Sequence, residues 1–291
     1  MRRLMTAVLC LMLCAAPCCR AEEAPAAASP EAWAVLRGDL AGDRPEPVPP
    51  ELRLSPAHPL PYGNEDAGLT VLLFATDAPD INRNFGRTDL LLLCRLDFAA
   101  GDIRLLSLPE DAPVRLPALP EDIMLRYVNC FGGPALLLDT VNAELDAGAW
   151  RYCAVNFDDF QAVIDDLQGV RLTLTEEEAE ALETEAGERV LNGQQALRYV
   201  RLRREGEGST RARKLLEAII RDSVYHGTRS DIYRLMDLLL PRMDTNLTTK
   251  NLMDAAIKMT GREDAGAFST LALSTLDGAA CRRFLYGEAA K

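Results

Sequence analysis

LTVLLFATDAPDINRNFGRTDLLLLCRLD, residues 69–97, holds two short apolar runs on either side of a polar loop. The first, Leu69–Thr76, mixes aliphatic and β-branched residues with no charge among them, the pattern of a strand buried on both faces. The second, Thr88–Asp97, reads the same way. DIRLLSL (102–108) follows it after a turn at Ala99–Asp102, so the spacing predicts a hairpin.

Working outward, GGPALLLDTVNAEL (132–145) has helical spacing, with Pro134 tolerated in its first turn. WRYCAVN (150–156) predicts a further strand. FDDFQAVIDDLQG (157–169) is amphipathic: Phe157, Phe160, Val163, Ile164 and Leu167 share one face, and Gly169 ends the helix. VRLTL (170–174) is another strand, and the remainder reads as mostly helical, over about 176–184, 192–204, 210–226, 229–240 and 247–259. Both-face apolar strands interleaved with helices predict an α/β fold: a mixed β-sheet sandwiched between helices, with a helical C-terminal part. The acidic run TEEEAEALETEAGE (175–188) reads as a solvated helical face.

The N-terminus, MRRLMTAVLCLMLCAAPCCRAEEAP, places two arginines before an apolar run and small residues after it, the layout of a secretory signal over residues 1–21. Cleavage after Ala21, a lipoprotein cut before Cys18 or Cys19, and an uncleaved anchor are the alternatives. Residues 22–66 are rich in Pro and Ala and read as a semi-rigid linker. The folded domain then spans 67–260, and 261–291 is a tail of unassigned role with strand-like pieces.

Four cysteines fall within the signal, leaving Cys94, Cys130, Cys153 and Cys281 without the CxxC spacing of a metal or redox site. Cys94 and Cys153 sit in apolar runs and read as small buried hydrophobes. The chain carries a formal net charge of -12. Such an acidic surplus excludes a nucleic-acid binder, which needs a broad basic face.

Against that background, ALRYVRLRREGEGSTRARK (196–214) concentrates seven basic side chains. Asn192 and Gln195 predict a capped helix carrying Arg198, Arg201, Arg203 and Arg204, and RARKLLEAII opens another after a Gly-containing break. Two such basic elements suit a pyrophosphate clamp, because arginine makes forked, charge-assisted bonds to phosphate oxygens; a plain solvated face has the same composition. At the ends of the first two strands, Asp77 and Asp89 flank Arg87. Two carboxylates converging at a sheet edge suit a hard cation such as Mg²⁺, whereas isolated aspartates often only cap turns.

Taken together, the aspartate after the first strand, GRTDLLLL, IRLLSLPED, VNCFGG, VNFDDFQAVIDDLQGVRL, LNGQQALRYVRLR and TRARKLLEAI resemble, in order, the LytR–CpsA–Psr family of cell-envelope proteins. The resemblance spans roughly residues 68–260. It implies an extracytoplasmic phosphotransferase that attaches a glycopolymer from a polyprenyl pyrophosphate carrier to peptidoglycan at the membrane surface. Mg²⁺ or Mn²⁺ is the implied cofactor, and the lipid tail would thread an apolar tunnel between sheet and helices. The implied location is the outer face of the cytoplasmic membrane or the cell envelope, with the N-terminus either anchored or cleaved.

Matched residue by residue, the resemblance assigns the metal to Asp77 and Asp89 and the pyrophosphate to Arg87, Arg201 and Arg203. Asp77, Asp89, Arg201 and Arg203 are then the catalytic candidates, with Arg211 (or Arg213) as a further phosphate contact. One position departs from the pattern. Glu110 stands in SLPED where the family usually has an arginine, which inverts the local charge. Arg115 and Arg126 are near enough in sequence to substitute for it. The alternative function is therefore a catalytically impaired member that binds polyprenyl-phosphate lipids as carrier, sensor or scaffold.

Overall fold

Six strands form the central sheet in the order β10-β3-β2-β1-β6-β9. They are β1 (Gly68–Thr76), β2 (Thr88–Asp97), β3 (Asp102–Ser107), β6 (Arg151–Asn156), β9 (Met243–Thr245) and β10 (Phe268–Ala272); β4 (Pro113–Val114) and β5 (Ile123–Met124) pair only with each other. The structure is a computed structural model that describes residues 48, 53–57, 67–78, 85–202, 210–220, 240–248, 251, 258 and 268–287. The leader at 1–21, the helix expected over 229–240 and most of that over 247–259 lie outside the described residues. Among the described residues no helix is long and apolar enough to cross a membrane.

All nine residues of β1 are buried, because β1 lies between β2 (antiparallel) and β6 (parallel) and is covered on both faces. β2 and β3 form the expected hairpin, Cys94 opposite Leu105. One face of the sheet (Leu73, Leu92, Leu105) packs on α2 (Phe157–Asp166), α4 (Gly193–Arg201) and α5 (Thr210–Ile220). The other face (Leu72, Leu91, Leu106) packs on α1 (Val128–Leu145) and α6 (Gly278–Tyr286). The architecture is thus a mixed sheet sandwiched between helices, as the sequence implies. α1 breaks at Gly133 (φ 67°), so Pro134 begins its second, longer part rather than interrupting a continuous helix.

Among the described residues, the C-terminal part adds short strands to its helices. β8 (Gly187–Leu191) pairs with β7 (Val170–Leu174) in a separate hairpin, and β9 and β10 supply both edges of the main sheet. These strands have three to five residues and half-exposed patterns, too short for a periodic signal. Helix α3 (Glu176–Ala181) has the solvated face expected, except that Glu178 turns inward.

Residues 268–287 belong to the packed fold. Cys281 and Leu285 are fully buried, and Tyr286 donates to the carbonyl of Ala147 at 2.6 Å. The buried Arg95 guanidinium lies over the Tyr286 ring at 4.6 Å. The described part of the Pro-rich segment also lies against the domain: Val48 is buried in the α1 face, and the Leu54 amide donates to the Phe131 carbonyl at 2.7 Å. A Pro-rich backbone forms no regular element, but its apolar side chains still gain from burial. Cys94, Cys130, Cys153 and Cys281 are all free and buried.

Candidate functional site

The carboxyl ends of β1 and β3 and the amino end of β2 share one edge of the sheet, and the charged residues of the sequence motifs collect there. Asp77 follows β1. The Arg87 backbone amide donates to its Oδ1 at 2.7 Å and the Arg87 Nε to its Oδ2 at 2.7 Å. This close return depends on Gly86, where a Cβ would stand 2.4 Å from the Ala78 nitrogen and 2.5 Å from Asp77 Oδ1. Burial alone would pull the Arg87 guanidinium down. The hydrogen bond and charge of Asp77, with the charge of Asp89 behind them, outweigh burial and hold it above its ordinary value.

Asp89 owes its placement to a break in register. Ala75 pairs with Leu90 and Thr76 with Thr88, so Asp89 is skipped on β1. Its carboxylate is held from two sides: Arg126 Nη2 lies 3.0 Å from Oδ1, and Arg201 Nε lies 3.1 Å from Oδ2. Arg201 comes from the last turn of α4, whose start is fixed by the Asn192–Gln195 capping box read in the sequence. Its guanidinium also stands over the Phe157 ring at 5.1 Å.

The Glu110 position completes the cluster. The Arg126 amide donates to the Glu110 carbonyl at 2.9 Å, and the Leu125 amide to that of Ala112 at 2.8 Å. This fold-back brings Arg126 inward, with Nη2 3.9 Å from Glu110 and Nε 3.2 Å from Asp111. Arg115, its alternative from the sequence, points outward to Asp122 and the Pro120 carbonyl. Asn129 is buried beside the cluster and donates to the Gly86 carbonyl at 2.7 Å. The thiol of Cys130 is held well above its usual range, first by burial and then by the charge of Asp77.

A cavity of about 120 Å³ opens directly behind this edge, between the sheet and helices α2, α4 and α5. Its lining is wholly apolar and includes Ala75, Leu90 and Val200. Leu90 immediately follows Asp89, and Val200 immediately precedes Arg201. β2 and α4 therefore each set a charged rim residue next to an apolar interior residue.

The sequence-selected residues Asp77, Arg87, Asp89, Glu110 and Arg201 meet at this edge, and Arg203 lies outside the described residues. Arg211 is placed differently: it is buried, with Nε 3.2 Å from Glu178 and Nη1 donating to the Leu202 carbonyl at 2.7 Å. Arg213 pairs with Glu217 and donates to Thr270. No group of three or more His, Cys, Asp or Glu side chains suited to a metal ion occurs among the described residues.

A family model, described as the LytR_cpsA_psr family, matches residues 40–279. The chain belongs to the LytR–CpsA–Psr family. This member is 25% identical over 185 residues to "Polyisoprenyl-teichoic acid--peptidoglycan teichoic acid transferase TagU" of Halalkalibacterium halodurans, covering 61% of this chain and 60% of that protein. It thus spans about 60% of the length of the curated relatives it matches. The solved structure "TagT bound to LI-WTA" shares the fold, with a TM-score of 0.59 and 22% identity over 76% of this chain and 87% of that one. So does "LytR-CPS2A-psr family protein YwtF (TagT) with bound octaprenyl pyrophosphate lipid", with a TM-score of 0.55 and 22% identity over 76% and 86%.

Within this LytR–CpsA–Psr domain, Asp111 and Asn129 join the site without having been selected in the sequence. Asp111 adjoins the substituted Glu110 in SLPED, and Asn129 stands in VNCFGG. Both motifs carried the family resemblance, and that was the signal available for finding them.

Proposed function

We propose that this chain is an extracytoplasmic phosphotransferase that moves a glycopolymer from a polyprenyl pyrophosphate carrier onto a peptidoglycan hydroxyl. The observation that carries the reading is the apolar cavity abutting a rim of arginines and carboxylates. An amphiphile with a prenyl tail and an anionic head matches that division of chemistry. The named activity of TagU and the lipid in the TagT structure give the same pairing in relatives.

In this reading the tail enters between the sheet and α2, α4 and α5 while the pyrophosphate meets Arg87, Arg201 and Arg203. The acceptor hydroxyl oxygen attacks the sugar-linked phosphorus, and the bond to the bridging oxygen breaks. Prenyl phosphate leaves with that oxygen, and the hydroxyl proton passes to a carboxylate at the rim. The arginines neutralise charge that grows on the departing phosphate.

Asp77 and Asp89 suit Mg²⁺ or Mn²⁺. Their carboxylates offer the hard oxygens such ions prefer, and they flank Arg87 at the same end of the sheet. When bound, the metal would supply charge neutralisation to the phosphates, which with water would complete its coordination. The export signal, the membrane surface as workplace and the cell envelope as location belong to the same reading.

Glu110 favours a second reading, a lipid-binding member without transfer, because a carboxylate at the rim repels phosphate. Incubating the purified protein with a polyprenyl-pyrophosphate-linked glycan, peptidoglycan and Mg²⁺ separates the two. Transfer of label to peptidoglycan is the expected result. Lipid binding with no transfer would establish the carrier reading instead, and no lipid binding would overturn both.

A further inference from the structure

The double glycine of VNCFGG (128–133) has no part in the chemistry above, yet neither position has room for a side chain. A Cβ on Gly132 would collide with the Leu54 carbonyl oxygen, and one on Gly133 would stand 2.6 Å from the Phe85 ring. Leu54 belongs to the Pro-rich segment that leads into the domain, and Phe85 directly precedes Gly86 and Arg87. The first turns of α1 therefore seat two separate pieces of chain side by side. Both are fastened to the helix. The Leu54 amide donates to the Phe131 carbonyl and the Ala57 amide to Asp139 Oδ2, while the Asn129 side chain donates to the Gly86 carbonyl, each at 2.7 Å.

Arg53 joins the two pieces. Its guanidinium stands over the Phe85 ring at 5.2 Å, and its buried Nε makes no hydrogen bond. Phe85 is thus held by Gly133 and by Arg53, one residue before the turn that brings Arg87 onto Asp77. From this junction we infer that Arg53 is a positioning residue of the site: through the Phe85 ring it fixes the turn at Gly86, and with it the double grip of Arg87 on Asp77. The segment leading into the domain thereby sets the geometry of the loop that carries Arg87. Its part in transfer rests on the phosphotransferase reading above, whereas its hold on the loop does not.

The test reads the NMR order parameter of the Arg87 amide in the intact protein, with the Leu72 amide of β1 as reference. Arg53→Met keeps the apolar stem and removes the charge over the ring. It is expected to lower the Arg87 value from about 0.85 towards about 0.6 and to leave Leu72 unchanged. Arg53→Lys keeps a cation over the ring and should retain most of the order. In a Phe85→Leu background, Arg53→Met should add no further loosening. An unchanged Arg87 value in Arg53→Met, an equal fall at Leu72, or a fall as large in Arg53→Lys would overturn the inference. In the transfer assay, Arg53→Met is expected to lower the rate about 3- to 30-fold and Arg53→Lys less. A loosened loop with an unaltered rate would overturn the part in transfer. A parent protein that neither binds nor transfers the lipid would instead overturn the phosphotransferase reading, and the order parameters would still decide whether Arg53 holds the loop.

Discussion

Arg87 grips Asp77 twice, through its backbone amide and through its Nε, each at 2.7 Å. Because one contact is main chain, the carboxylate stays anchored when the side chain changes, which separates the residue's electrostatic part from its structural one. Arg87→Lys should keep the charge and lose the directed bond, and Arg87→Met should lose both. In urea unfolding, Arg87→Met is expected to lose about 1–3 kcal/mol and Arg87→Lys less. Pyrophosphate-lipid affinity should fall in the same order, measured by titration.

Gly86 is where the loop comes closest to the carboxylate it serves. In Gly86→Ala the added Cβ meets the Ala78 nitrogen and Asp77 Oδ1 at 2.4 and 2.5 Å, both too short to tolerate. Since one neighbour is backbone, the loop must move and carry Arg87 off Asp77. The expected outcome is a stability loss of about 1–3 kcal/mol together with loss of lipid binding. Circular dichroism should show the sheet intact, because Gly86 lies outside the strands.

The cavity permits the opposite experiment, a change of interior without a change of charge. At about 120 Å³ it has roughly the room of one isoprene unit, since about 150 Å³ holds benzene. A longer tail needs more room than this volume provides. Ala212 is buried at the cavity wall, so Ala212→Phe should occupy the space where the tail begins. Binding of polyprenyl pyrophosphate should drop at least tenfold, while the thermal midpoint changes little or rises.

Asp244 supplies a pH dependence with a definite sign. Burial raises its folded pKa above 3.8, against the hydrogen bond donated by Tyr152. The folded protein therefore takes up this proton before the unfolded chain does, and the ionised group costs stability above its folded pKa. Asp244→Asn should be more stable than the parent at pH 7. Its advantage should shrink as pH falls through the raised value and stop changing below 3.8, as followed by urea midpoints.

Much of the fold is legible in the sequence because β1, β2, β3 and β6 are apolar on both faces, which only a sheet covered twice explains. β8, β9 and β10 escape that reading, since a short edge strand owes its place to its neighbour's free hydrogen bonds rather than to its own pattern. The site divides in the same way. Asp77, Arg87 and Asp89 lie on one loop between adjacent strands, so proximity in sequence becomes proximity in space. Arg115 lies nearer Glu110 in sequence than Arg126 does, yet the main-chain pairing of Arg126 with Glu110 turns Arg126 inward while Arg115 reaches out to Asp122. Arg211 fits the basic clamp by composition, but one inward glutamate of an otherwise solvated helix, Glu178, takes it as counter-ion.

The parallel pairing of β3 with β10 has a consequence for how the protein is made. Ile103 finds its partner, Phe268, roughly 165 residues later, and helix α6 covers the same side of the core only after that. A chain emerging from its amino end must hold the outer edge of β3 unpaired until residues 268–272 appear. Folding is then limited by a late, long-range closure, a slow step during which the unfinished sheet is open to aggregation.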